Sequence, residues 1–194
     1  MLDVEVISDP AAAITALDPV RTRLLSELGE PASAATLATR TGITRQKVNY
    51  HLRALEHRGL VVAAGERKWG GLTERLMVAS ASSYVVSPKA LGPVGADPAR
   101  SGDRLSASYL VALAARSIRE VGEMWRRSRD ADKRLATLSI DTAVRFASPS
   151  ERARFASDLT DAVTSLVARY HDETAPRGRT HRLVVAAYPA PATD

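Results

Sequence analysis

The apolar positions of this chain change period along its length. Val20, Leu24, Leu25 and Leu28 recur at helical spacing. Asp18 followed by Pro19 opens that helix with an acidic cap and a proline at its first position, and Gly29 closes it. Ser33 caps a short second helix in which Leu37 and Ala38 face inward, ending at Gly42. Thr44 caps a third helix from Arg45 to Arg58, with an apolar stripe of Val48, Leu52 and Leu55 and a stop at Gly59. After Gly59 the helical spacing ends and extended segments follow. Leu60–Ala64 and Leu72–Ala79 read as extended arms of a hairpin around the tip Gly65-Glu66-Arg67-Lys68-Trp69-Gly70-Gly71, which Tyr84-Val85-Val86 extends.

Residues 87–103 hold three prolines and three glycines, which stop helices and strands alike, so a linker is expected there. Beyond it, Arg104 to Arg129 reads as one long helix. Leu110, Ala114, Ser117, Val121 and Met124 form a heptad-like seam that Ile118 and Trp125 widen. This is either one packed amphipathic helix or a dimer seam. Residues 135–146 alternate, with Leu138, Ile140, Val144 and Phe146 on one face and Thr137, Ser139, Asp141 and Arg145 on the other. Ser148-Pro149-Ser150-Glu151 makes a capping box for a helix running to about His171, with Phe155, Leu159, Val163, Leu166 and Tyr170 on its apolar side. His181 to Tyr188 is a second strand, and Pro189 to Asp194 should fray. The fold class is therefore α+β. Residues 1–88 form one domain, 89–103 a linker, and 104–194 a strand–helix–strand portion with a long helix, serving dimerisation or an effector.

The second and third helices are separated only by Thr41-Gly42-Ile43-Thr44, the spacing of a helix-turn-helix. The third helix carries Arg45, Gln46, Lys47, Asn49, Tyr50 and Arg53 away from its apolar stripe. Arginine pairs with guanine edges, Gln and Asn with adenine, and Lys and Tyr with phosphates. Thr44 to Lys47 forms the end that enters a major groove in such motifs. Arg67 and Lys68 on the hairpin add a basic projection; a merely solvated helix face and an ordinary turn are the bland alternatives.

Charge agrees with that placement. The chain of 194 residues carries a net +5. Residues 1–35 hold six acids and two bases, 36–90 three acids and nine bases, and 91–194 thirteen acids and sixteen bases. The excess thus falls on the window of the third helix and hairpin, where it favours a polyanion.

The stretch L-A-T-R-T-G-I-T-R-Q-K-V-N-Y-H-L-R-A-L-E-H-R-G-L-V resembles the winged helix-turn-helix of ArsR-type bacterial transcription regulators, and D-P-V-R-T-R-L-L-S-E-L resembles that family's first helix. The resemblance covers roughly residues 8–88. It implies that Thr44, Arg45, Gln46, Lys47, Asn49 and Tyr50 face double-stranded DNA, that Arg67 and Lys68 are wing contacts, and that a homodimer binds a pseudo-palindromic operator. Larger members carry an extension after the wing. The chain departs from the metal-sensing members. It has no cysteine, and His51, His57, His171 and His181 show no metal-ligand spacing. No metal and no cofactor is expected.

Other classes find little support. Phosphate-loop, dinucleotide, nucleophile-elbow and zinc-protease motifs are all missing, so no enzyme is expected. RNA binding lacks strand-borne aromatic pairs. No signal peptide and no membrane-spanning run is visible, and a cytoplasmic protein is expected. Met124, Trp125, Phe146 and Tyr188 are candidates to line a pocket for a small apolar effector of unknown identity, ordinary core being the alternative. A protein of another class remains the second reading: a small-molecule-binding or enzymatic α+β protein whose helical N-terminus docks a partner protein.

Overall fold

The computed structural model describes residues 1–69, 71–100, 102–103 and 105–191. It divides into two compact units, Met1–Leu135 and Ala136–Asp194. The first holds strands β1 (Leu2–Ile7), β2 (Ala32–Ser33), β3 (Val61–Trp69), β4 (Leu72–Ala79) and β5 (Ala81–Val86), with helices α1 (Pro10–Leu17), α2 (Pro19–Ser26), α3 (Ala34–Thr41), α4 (Arg45–His57) and α5 (Ala107–Asp130). The second holds α6 (Pro149–Tyr170). The α+β class stands.

Local chemistry sets the helix boundaries. The Asp18 carboxylate accepts from the Arg21 N–H at 3.0 Å, and Pro19 follows it at the first helical position. Ser33 caps α3 through the Thr36 N–H at 3.2 Å. Gly42 then leaves the helix with φ of 69°, a left-handed conformation that favours glycine, and its N–H closes on the Ala38 carbonyl at 2.9 Å. The turn between α3 and α4 is therefore short and fixed. Leu24, Leu28, Leu37, Val48 and Leu55 are fully enclosed beneath it, joined by Leu52, Leu60, Val61 and Met77.

Two sheets flank this core. In one, β4 lies between β2 and β3, both antiparallel to it. In the other, β1 pairs in parallel with β5, Leu2 opposite Ala81 and Ile7 opposite Val86. The Tyr84–Val86 segment thus does not extend the hairpin: the chain turns at Ser80 and β5 finds the N-terminal strand instead. The Tyr84 hydroxyl ties the two sheets by donating to the Leu60 carbonyl at 2.8 Å. The hairpin is also longer than its glycines suggest. Pairing runs out to Trp69 opposite Leu72, and Gly65, with φ of 126°, sits at an irregularity in the ladder rather than in a loop. Gly70 and the Trp69 side chain lie outside what the structure describes.

Helix α5 packs onto β1 at short range. A Cβ placed on Gly122 would come within 2.8 Å of Val6 Cγ1. Arg126 donates to the Ser8 hydroxyl at 3.1 Å, and Arg129 pairs with Glu5 at 2.9 Å. The residues that α5 buries are Ala112, Ala115 and Gly122, not the predicted seam. Of that seam, Ala114, Val121 and Met124 are exposed, while Leu110 and Ser117 are half-buried. Within the expected linker, Pro88–Val94 and Pro98–Arg100 form short 3-10 turns that pack against α5. Arg104, the expected start of the long helix, lies outside the described residues.

In the second unit, Ser148 caps α6 through the Glu151 N–H at 3.1 Å, and Glu151 reaches back to the Ala147 N–H at 2.6 Å. The segments 135–146 and 181–188, expected as strands, are not strands here. Their alternation is real, but a strand exists only with a ladder partner, and neither segment supplies one to the other.

The tight helix–strand contact gives a stability test. Gly122→Val should lower the unfolding free energy by about 1–3 kcal/mol through overpacking against Val6. Val6→Ala in the same chain should recover part of the loss in chemical denaturation curves.

Candidate nucleic-acid interface

Helix α4 has two chemically distinct sides. Val48, Leu52 and Leu55 are buried, while Thr44, Arg45, Gln46, Lys47, Asn49, Tyr50 and Arg53 are all exposed, Tyr50 to 69%. Burying a Val or Leu side chain stabilises by roughly 1.5–3 kcal/mol each, so the stripe strongly biases the helix's rotation about its axis. The polar side must then face out. Arg45, Gln46, Asn49, Tyr50 and Arg53 line a shallow surface groove along it. Thr44 caps the helix, its hydroxyl 3.5 Å from the Lys47 N–H. Seven of the residues that the sequence singles out are thereby brought onto one surface.

Ion pairing sorts the cations of this region. Arg40 pairs with Glu27, Arg58 with Asp9, Arg67 with Glu74, Arg75 with Glu56 and Lys89 with Glu123. The nine bases of residues 36–90 leave four without an ion-pair partner among the described residues: Arg45, Lys47 and Arg53 on α4, and Lys68 on β3. Pairing thus neutralises cations elsewhere and leaves the α4 face and one wing residue charged and open.

Arg67 behaves differently from Lys68. Its guanidinium holds the Glu74 carboxylate at 2.8 Å and lies 3.4 Å from the Thr36 hydroxyl on α3. Glu74 is only 9% exposed. The hydrogen bond from Arg67, followed by that from the Ser33 hydroxyl, holds its carboxyl below its ordinary value of 4.5. Arg67 therefore braces the wing against α3, a role that its position in a basic run did not reveal. Arg75 does similar work at the other end, gripping Glu56 of α4 through two hydrogen bonds of 2.9 and 2.5 Å. Sequence spacing does not reveal these two braces, because Glu56 and Glu74 lie 19 and 7 residues from their partners.

His51 stands at the margin of this face. Its ring meets Tyr50 edge-on at 5.3 Å, and its Nδ1 is buried without a hydrogen-bond partner among the described residues. Of the proposed effector-pocket residues, Met124 and Trp125 belong to α5 in the first unit. Phe146, which rests against Phe155 at 5.2 Å, and Tyr188, which is exposed, belong to the second.

The Arg67–Glu74 brace makes a pH prediction. A carboxyl whose folded pKa is depressed contributes stability above its unfolded pKa and loses it as pH falls through the folded one. Melting temperatures taken from pH 7 downward should show wild type above Glu74→Gln at neutral pH. The gap should close below about pH 4.5, the ordinary value from which this group is lowered.

A family model described as a helix-turn-helix domain matches residues 16–62, which span α2, α3, α4 and the first residues of β3. No curated protein matches the chain. Among the described residues, no helix is long and apolar enough to cross a membrane. The matched helices and the β3–β4 hairpin beside them form a helix-turn-helix with a β-hairpin wing, an arrangement that supports DNA binding.

Proposed function

We propose that this chain is a sequence-specific transcription regulator of the ArsR type, acting in the cytoplasm as a homodimer on a pseudo-palindromic operator. It is a binding protein rather than a catalyst. One observation carries this reading: Arg45, Lys47 and Arg53 keep their charges open on the exposed side of α4, while neighbouring cations are tied to carboxylates. Arg45, Gln46 and Asn49 have the donor and acceptor groups that read base edges in a major groove, and a helix fits its width of about 12 Å. Lys47, Arg53 and Lys68 supply phosphate contacts that set affinity without sequence preference. Tyr50 offers a hydroxyl to the backbone. Arg67 serves the wing's shape before it serves DNA.

The division of labour is measurable by titrating operator variants against salt. Arg45→Ala or Gln46→Ala should flatten the preference among operator variants by about 1–3 kcal/mol per lost base contact. Lys68→Ala should weaken binding to all sequences alike and reduce the salt slope by about one. Unchanged sequence preference after removal of both Arg45 and Gln46 would defeat the assignment of α4.

A further inference from the structure

The second unit contains a segment with strand-like alternation, residues 136–146, that is unpaired among the described residues. Leu138 and Ile140 are each 85% exposed and Val144 is 51% exposed, all on the same side of the alternation. Among the described residues, no backbone hydrogen bond involves residues 136–146, although Ala147 beside them is held by Glu151. Helix α6 buries none of its residues fully. An exposed apolar alternation whose backbone groups have no partner among the described residues is a template for strand pairing.

The order of charges says which strand. Asp141 and Arg145 are the charged residues of this segment. If two copies run antiparallel with Ala143 opposite Ala143, Asp141 of each stands directly opposite Arg145 of the other. The same register sets Ile140 against Phe146 and Thr142 against Val144 on the apolar side. Opposed charges and apolar pairs at such positions both favour pairing. The other strand-like segment, His181–Tyr188, contains no carboxylate and so leaves Arg145 unanswered.

We propose that residues 136–146 form an intermolecular antiparallel β-ribbon with a second copy of this chain, centred on Ala143. The inference deepens the homodimer reading and rests on it. It gives the second unit its missing strand partner and places a twofold axis at Ala143.

The chain has no cysteine, so a single introduced thiol reports on this contact without background. Ala143→Cys in the full-length protein, oxidised at micromolar concentration, should form a disulfide-linked dimer, since opposed Cβ atoms lie about 4.5–5.5 Å apart. Ser139→Cys should not, because its two copies would lie eight residues apart along the ribbon, about 27 Å at 3.4 Å per residue. Asp141→Arg or Arg145→Asp, each added to Ala143→Cys, should lower the yield at least about twofold. The two together should restore it. Light scattering on wild type separates the two failures. A monomer overturns the homodimer reading and this inference with it. A dimer in which Ala143→Cys fails to cross-link, or Ser139→Cys cross-links equally, overturns the ribbon and leaves the dimer standing.

Discussion

The arrangement of the first unit depends on how α4 is seated. Val48, Leu52 and Leu55 lock into a core shared with Leu24, Leu28 and Leu37. Because an α-helix turns through 3.6 residues, burying that stripe sends Arg45, Gln46, Asn49 and Arg53 outward. The cap at Thr44 and the left-handed Gly42 before it set where the helix begins, and so which residues stand at its exposed N-terminal end. Surface chemistry here is a consequence of core packing. A rigid seat also limits the ordering cost that a flexible binding element would pay on meeting its partner.

Electrostatics completes what packing begins. Residues 36–90 hold only three carboxylates, and Glu56 and Glu74 are each taken up by an arginine of the wing. Arg75 ties β4 to α4, and Arg67 ties β3 to β4 beside α3. The same pairs that rigidify the wing withdraw negative charge from the open face. Exposed ion pairs contribute little stability one at a time; their larger effect here is on where the uncompensated positive charge lies.

Much of this was legible in the sequence. The three helices between Asp18 and Arg58 announce themselves by caps, glycine stops and helical apolar spacing, all of which act within a few residues. The outward residues of α4 follow from its stripe. What escaped depends on distant partners. The alternation Leu2-Asp3-Val4-Glu5-Val6-Ile7 and the Asp9-Pro10 helix start were present, but β1 is a strand because it meets β5, nearly eighty residues later. Tyr84–Val86 reads as part of the hairpin for the same reason: its partner, β1, lies far away in the sequence. Strand β2 has only two residues, too few for any period to register. Residues 135–146 show the converse, a clear alternation with no ladder among the described residues. The α5 seam illustrates a further limit. Ala112, Ala115 and Gly122 approach the body because they are small, while a hydrophobicity pattern weights the larger residues that stay outside.

The central claim is that the open face of α4 meets base edges in a major groove. Methylation interference at guanine N7, on fragments selected from the source organism's DNA, tests it most directly. The account predicts interference at guanines in two clusters about one helical turn apart, roughly 10 base pairs, with part of each cluster vanishing for Arg45→Ala. Binding that is indifferent to N7 methylation, or a pattern untouched by changes on α4, would contradict it.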